Sequence, residues 1–416
     1  MERAKLIVKN FGPLKDINIE VREMVVFIGA QASGKSTLAK LISILEDEEF
    51  RKDDSISFEE ELKKYSIHSF LNNKSCINYC RESKGVFYEF TLENSISKKV
   101  DYRENLIKNL SGIVTKEKGE ILDSLLETDL ENIRFKNIKE KKLFVKKLNE
   151  AVDSAFSEKD KTKIYDFFIK KYDQVISKYG AYLKFDSIYI PTERNILQII
   201  STNILGLINN DIQIPKYLLN SGQEYEKAIN TIKELPLSII DKKIKYKREG
   251  KTSYIYHNET EKVDLLESAS GLQSIIPILL LVEYSKSLKE KYNFNFVVEE
   301  PELNLYPKAQ HELIKYLVKN CLFDRKNLIL TTHSPFVLAS INNLLLAFDK
   351  GKTHPKEVNK IIKKESWLDP KNFIAYELKN GKAKKIMNDK LGQIKENMID
   401  AVSDAFANEF DKLLDL

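Results

Sequence analysis

Residues Gly29-Ala-Gln-Ala-Ser-Gly-Lys-Ser36 follow a short apolar run, 25–28, and precede residues 37–45, where Leu38, Leu41, Ile42 and Leu45 recur at helical spacing. A strand, a glycine loop ending in Lys-Ser, and a helix in that order predict a phosphate-binding loop. Small residues at Gly29, Ala30, Ala32 and Gly34 let the backbone N–H groups of the loop, those of Gln31 and Ser33 included, converge on an anion at a helix N-terminus. Lys35 is placed to reach β- and γ-phosphates, Ser36 to ligate Mg2+, and Thr37 to sit near the α-phosphate. An accidental glycine turn gives no reason for the lysine, the hydroxyl and both flanking elements to occur together.

Working outward, residues 5–9 and 16–21 read as strands joined by a turn at Phe11-Gly-Pro13. The charged stretch 46–64 reads as surface helix or loop, and 75–80, 86–92 and 98–102 alternate as an antiparallel patch. From 113 to 179 the period becomes helical, with Ile121, Leu122, Leu125 and Leu126, then Phe167, Phe168, Tyr172, Val175 and Ile176. We read this as a helical insertion with solvated outer faces. Residues 187–190 form a buried strand, and Pro191-Thr-Glu-Arg194 opens a helix with Thr192 as its cap. Residues 203–234 are expected to be partly helical, and 243–247, 253–257 and 262–265 to form a meander. Residues 294–345 read as strand, helix, strand and helix of a parallel core, and an amphipathic helix lies near 394–414. The expected division is a first lobe at 1–112, the insertion at 113–180, a second lobe at 181–345 and a tail at 346–416.

The apolar run 294–298 ends in Glu299-Glu-Pro-Glu302. Burying these acids without a cation is costly, which assigns Glu299 to Mg2+ and Glu300 to orienting and deprotonating an attacking water. Pro301 ends the strand ladder; Glu302 reads equally as a structural residue of the turn or as a contact across a dimer. Ala269-Ser-Gly-Leu-Gln273 precedes the apolar helix 275–282, so Ser270 and Gly271 lie at a helix start, either holding a phosphate or supplying an ordinary serine cap. His333 follows the apolar strand 328–330 and points into the same site, whereas His68, His257, His311 and His354 share no spacing.

The chain has 416 residues with 31% charged and a net charge of +5, a mixed balance that permits nucleic acid without demanding it. Cys76, Cys80 and Cys321, without a signal-peptide pattern, fit a reducing cytoplasm, and Cys76 and Cys80 read as ordinary thiols rather than a metal pair. No apolar run approaches the roughly 20 residues that span a bilayer, so no membrane domain is expected.

Five segments carry a family resemblance: Asn10-Phe-Gly-Pro13, Ile190-Pro-Thr-Glu-Arg194, Ser270-Gly-Leu-Gln-Ser274, Glu299-Glu-Pro-Glu-Leu-Asn-Leu-Tyr-Pro307 and Thr332-His-Ser-Pro335. Together they resemble the RecF/SMC-like AAA ATPases of the OLD (overcoming lysogenisation defect) type, over residues 1–45 and about 185–345. Leu272 replaces the second glycine of the ABC signature, Tyr306 stands where the family often has His, and no Q-loop glutamine can be placed between 45 and 100. The resemblance implies an α/β fold, an ABC-type P-loop NTPase core of mixed sheet flanked by helices, with the antiparallel patch and helical insertion added. It further implies ATP with Mg2+, a homodimer or higher even oligomer that sandwiches ATP, Ser270, Gly271 and Gln273 holding the partner's γ-phosphate, and His333 as the switch histidine. The TOPRIM nuclease of full-length OLD proteins is expected to be missing, because Asp349, Glu357, Glu365 and Asp369 lie in a lysine-rich stretch read as loop. The implied role is then a cytoplasmic ATPase controlling a separately encoded nuclease or toxin in anti-phage defence. The alternative is a RecF-like DNA-binding repair or chromosome-maintenance ATPase using the lysines of 136–147, 350–364 and 382–385. A transporter subunit is the third reading.

Overall fold

The computed structural model describes residues 3–53, 55–83, 86–101, 185–201, 214–288, 293–322 and 327–415. The expected insertion at 113–180 and the segment 202–213 lie outside the described residues.

The opening hairpin is β1 (Arg3–Phe11) and β2 (Leu14–Val21), with Leu14, Ile17, Ile19 and Val21 buried on β2 and Lys15, Asp16 and Asn18 facing solvent. That alternation belongs to an antiparallel strand with one wet face. β3 (Met24–Gly29) is buried at every position, as a strand with a parallel neighbour on each side must be. It leads through the glycine loop into α1 (Lys35–Glu46), which buries Leu38, Leu41, Ile42 and Leu45 as the helical spacing requires. The stretch expected at the surface forms α2 (Glu48–Lys52) and α3 (Phe58–Lys64), capped by Asp47 and Ser57. Phe50, Phe58 and Leu62 are buried, and the two phenylalanines pack with Phe90, so this stretch covers the patch rather than lying free. The patch is antiparallel as read: β4 (Cys76–Ser83), β5 (Val86–Glu93) and β6 (Ile96–Asp101), bonded to the core through β4 and β1.

The second half contributes β7 (Phe185–Ile190), α4 (Lys216–Thr231) and a separate four-stranded sheet of β8 (Glu234–Pro236), β9 (Lys245–Glu249), β10 (Thr252–Tyr256) and β11 (Lys262–Asp264). α5 (Ser270–Ser287), β12 (Asn293–Glu299), α6 (Pro307–Cys321), β13 (Asn327–Thr332) and α7 (Pro335–Gly351) then follow in the expected order. Thr192 does not cap a helix: Pro191 precedes a 3-10 turn at Thr192–Ile196, and the Thr192 hydroxyl bonds to Glu193 instead.

The C-terminal segment is not a loop-like tail. Asp349 and Glu357 lie on α7 and α8 (Pro355–Ile361), and β14 (Phe373–Lys379) enters the main sheet beside β3, with β15 (Lys382–Lys385) returning antiparallel. The eleven strands run β6-β5-β4-β1-β2-β15-β14-β3-β13-β12-β7. β14, β3, β13, β12 and β7 are parallel, so their C-terminal ends open on one edge, where α/β sheets place their ligands. α9 (Met398–Leu414) closes the chain. The architecture is the mixed α/β sheet with flanking helices and antiparallel patch that the sequence predicts.

Candidate functional site

The phosphate loop occupies the C-terminal end of β3. Gly29 has φ 159, and a Cβ there would lie 2.7 Å from the Leu378 carbonyl oxygen; Gly34 has φ 98, and its Cβ would lie 2.6 Å from the Leu14 side chain. Both positions exclude a side chain, which is why the loop can close tightly over the hairpin and β14. Ala30, Gln31, Ala32 and Ser36 are exposed, while Lys35 and Thr37 are buried. The Lys35 ammonium donates to the carbonyls of Gly29 at 2.9 Å and Ala30 at 3.0 Å. Burial lowers its pKa, opposed by the charges of Glu300, Glu299 and Glu302. The Ser33 hydroxyl is buried without a hydrogen-bond partner among the described residues.

Glu299 ends β12 at 3% exposure, and its Oε1 has no hydrogen-bond partner among the described residues. Burial raises its pKa, against the Lys40 ammonium, the Tyr189 phenol and the Ser36 hydroxyl. A buried carboxylate oxygen without a donor, beside the Ser36 hydroxyl, fits a hard divalent cation such as Mg2+. Glu300 takes φ 42, a left-handed conformation unfavourable for its type, and its N–H donates to the Thr331 carbonyl at 2.9 Å. Its Oε1 lies 3.4 Å from His333 Nε2. Burial and the Lys35 charge lower the His333 pKa, with Glu300 opposing. Glu302 Oε1 accepts from the Thr332 hydroxyl and the His333 N–H, each at 2.8 Å, so the residue left undecided between turn and dimer contact holds the histidine loop of its own chain. β13 ends at Thr332, His333 follows it, and Ser334 then caps α7 with Pro335 at its first turn.

Arg194 binds this turn from behind. It is wholly buried; Nη1 donates to the Glu299 carbonyl at 2.8 Å and the Pro191 carbonyl at 3.2 Å, Nη2 to the Glu300 carbonyl at 2.8 Å, and Nε to the Ser274 carbonyl at 2.9 Å. Desolvation lowers its pKa to about 10, with Glu302, Glu300 and Glu299 opposing. The guanidinium therefore joins the acidic turn to α5. Sequence reasoning quoted Arg194 only as part of a motif; its signal was a lone arginine directly after a buried strand. Lys40 was also missed: it lies on α1, 4.2 Å over the Tyr217 ring, with burial lowering its pKa against Glu299 and Glu193.

Ser270 is exposed at the start of α5, and Ala269 is the N-cap residue without a side-chain cap, so Ser270 is not serving as an ordinary cap. A Cβ at Gly271 would lie 2.8 Å from the Asn304 carbonyl, and Asn304 donates to Ser274 Oγ at 3.0 Å. Gln273 turns back to the carbonyls of Leu266 and Ser268. The structure thus brings Lys35, Glu299, Glu300 and His333 together and packs the Ser270–Gly271 start against the connector after the acidic turn. His311 pairs with Ser340 instead. Cys76, Cys80 and Cys321 form no disulfide, and no group of three or more His, Cys, Asp or Glu suited to a metal occurs among the described residues. No described helix is long and apolar enough to cross a membrane.

A glycine loop between a buried strand and a helix, with an acidic strand end and a histidine on the same sheet edge, defines a P-loop nucleoside triphosphatase. The chain belongs to the AAA ATPase domain family, whose match covers residues 1–338. Comparison with curated proteins gives no match. Among solved structures it is similar to the Smc head domain of Pyrococcus furiosus bound to the C-terminal domain of ScpA, at 13% identity and TM-score 0.40, covering 93% of this chain and 96% of that one. The SMC head domain of Thermotoga maritima gives 11% identity and TM-score 0.38, covering 93% and 98%. The ADP conformation of an ATP-binding cassette of an ABC transporter gives 11% identity and TM-score 0.34, covering 94% and 93%.

Proposed function

We propose that the chain hydrolyses ATP at composite sites formed by two copies of itself, and that closure of these sites controls a separately encoded nuclease or toxin in bacterial anti-phage defence. The observation that carries hydrolysis is Glu300 Oε1 at 3.4 Å from His333 Nε2, beside the buried Glu299, on the sheet edge of the phosphate loop. The composite site is supported by Ser270, exposed at a helix start that no side chain caps. The OLD-type assignment rests on the motif resemblance.

In this reading Lys35 exchanges the Gly29 and Ala30 carbonyls for phosphate oxygens, since an ammonium held by two neutral acceptors gains from an anionic one. Ser36 and Glu299 would hold Mg2+, which when bound neutralises charge on the β- and γ-phosphates. Glu300 orients water and takes its proton, and the Arg194 and Thr331 bonds fix the strained backbone from which it projects. His333, kept neutral at pH 7 by burial and by Lys35, hydrogen-bonds a γ-phosphate oxygen through its protonated ring nitrogen. Ser270 and the N–H groups at the start of α5 would meet the phosphate bound on the other copy.

Light scattering tests the two-copy site: Glu300→Gln protein with ATP and Mg2+ should have the mass of at least two copies. The mass of one copy would remove the sandwich. Of the lysines named for the alternative DNA-binding role, those of 136–147 lie outside the described residues, while Lys352 pairs with Asp349 and Lys385 with Asp389 at the surface.

A further inference from the structure

Among the described residues, α9 is joined to the body of the protein only at its base. Asn397 and Asp400 form a capping box, the Met398 N–H donates to Glu377 at 2.9 Å, and Met398 and Ile399 pack on the core. Every residue from 400 to 415 is exposed. Yet this length carries Val402, Phe406, Phe410 and Leu413, exposed by 50%, 67%, 62% and 62%. Four large apolar side chains on one helical face in water indicate a surface that is covered in the working protein.

The spacing points to what covers it. Ile399, Val402, Phe406, Phe410 and Leu413 follow one another at intervals of 3, 4, 4 and 3 residues, which read the same in both directions from Phe406. A two-fold axis beside Phe406 therefore sets Val402 against Phe410 and Ile399 against Leu413 of an antiparallel copy, the self-complementarity a symmetric pair needs. At 100° per residue, Asp400, Asp404 and Asp411 fall on the side away from the stripe, so pairing leaves them in water; only Glu409 borders it. An interfacial membrane helix would instead present lysines and arginines on its polar face, where this helix has only Lys412. The base of α9 also lies at the working edge of the sheet, because Glu377 pairs with Ile28 in the strand that ends in the phosphate loop.

We propose that α9 is a dimerisation helix that pairs with α9 of a second copy in antiparallel fashion, without nucleotide. The pairing deepens the two-copy reading above: two tethered copies meet at high effective concentration, so ATP closes sites that are already neighbours.

Light scattering of the full-length, nucleotide-free protein decides it. Wild type should have the mass of two copies, and the Phe406→Glu, Phe410→Glu double variant the mass of one, with a dissociation constant weakened by at least about 100-fold. Because both side chains are exposed, thermal unfolding of the monomeric unit should be unchanged. With added oxidant, Phe406→Cys protein should cross-link to a dimer and Asn408→Cys, on the far side of the helix, should not. A monomeric wild type overturns the proposal, as does a dimer that survives the double substitution, or a wild type that remains monomeric and sediments with anionic vesicles. Adding Glu300→Gln and ATP to the double variant separates the two readings: regained mass leaves the sandwich standing without α9, and no gain removes the sandwich while α9 pairing stands on the nucleotide-free result.

Discussion

The acidic turn after β12 and the phosphate loop after β3 lie on the same sheet edge but are held in opposite ways. In the turn the backbone is fixed from behind: the Glu299 and Glu300 carbonyls both accept from Arg194, and Glu302 holds the loop of His333. In the loop, Lys35 bonds to carbonyls of its own loop and residues 30–32 are open to solvent. In the proposed reading the carboxylate side is therefore built before substrate arrives, and the phosphate side is completed by it. That division suits chemistry in which the carboxylate must be positioned to aim a water while the cationic side must admit and release an anion.

Breaking the fixed side should have the largest effect. Arg194→Met leaves buried carbonyls of three segments without donors and should cost about 3–5 kcal/mol in chemical denaturation. Arg194→Lys should recover less than half, since one ammonium cannot span Ser274, Glu299 and Glu300 together. If Arg194→Met unfolds like wild type, the turn is not held as described.

Glu299→Gln sharpens the contrast in the other direction. The folded-state pKa of Glu299 is raised, so the folded protein holds its proton more tightly than the unfolded chain. That contribution to stability is complete below the unfolded value of about 4.5 and is lost as pH rises through the raised value. At neutral pH the ionised group therefore opposes folding, and Glu299→Gln should stabilise the ligand-free protein by about 1 kcal/mol and flatten its stability across that window. The same variant should lose most of the stabilisation that ATP with Mg2+ gives wild type. A destabilised ligand-free variant would contradict this account of the orphaned oxygen.

Thr332→Val should have the smallest effect. It removes one of the two donors to Glu302 Oε1 and the acceptor of the Ser334 N–H, and should cost about 1 kcal/mol, read as a shifted denaturation midpoint.

The same contrast governs what could be read from the sequence. The phosphate loop was legible because its chemistry is local: eight consecutive residues, a strand before and a helix after. Glu299, Glu300 and His333 were legible as strand ends. Arg194 was not, because three of its four carbonyl partners come from residues 80 to 106 positions away, which no local pattern records. β14 was missed for a related reason. Phe373-Ile-Ala-Tyr is a short apolar run between lysines, and it becomes a core strand only because β3 offers it a buried parallel edge. The stretch 46–64 is surface helix as read, but its charge count hid Phe50, Phe58 and Leu62, through which the two helices pack on the patch. Thr192 was assigned as a cap by type, but it lies one residue inside the turn that Pro191 opens, and its hydroxyl bonds to the Glu193 carboxylate rather than to a later N–H.

The central claim is that Glu300 acts on the water and not on nucleotide binding. Single-turnover hydrolysis and ATP affinity measured on the same Glu300→Gln preparation test it most directly. The account predicts affinity within about threefold of wild type and hydrolysis slowed by about 100-fold or more. Hydrolysis at the wild-type rate, or affinity lost together with hydrolysis, would contradict it.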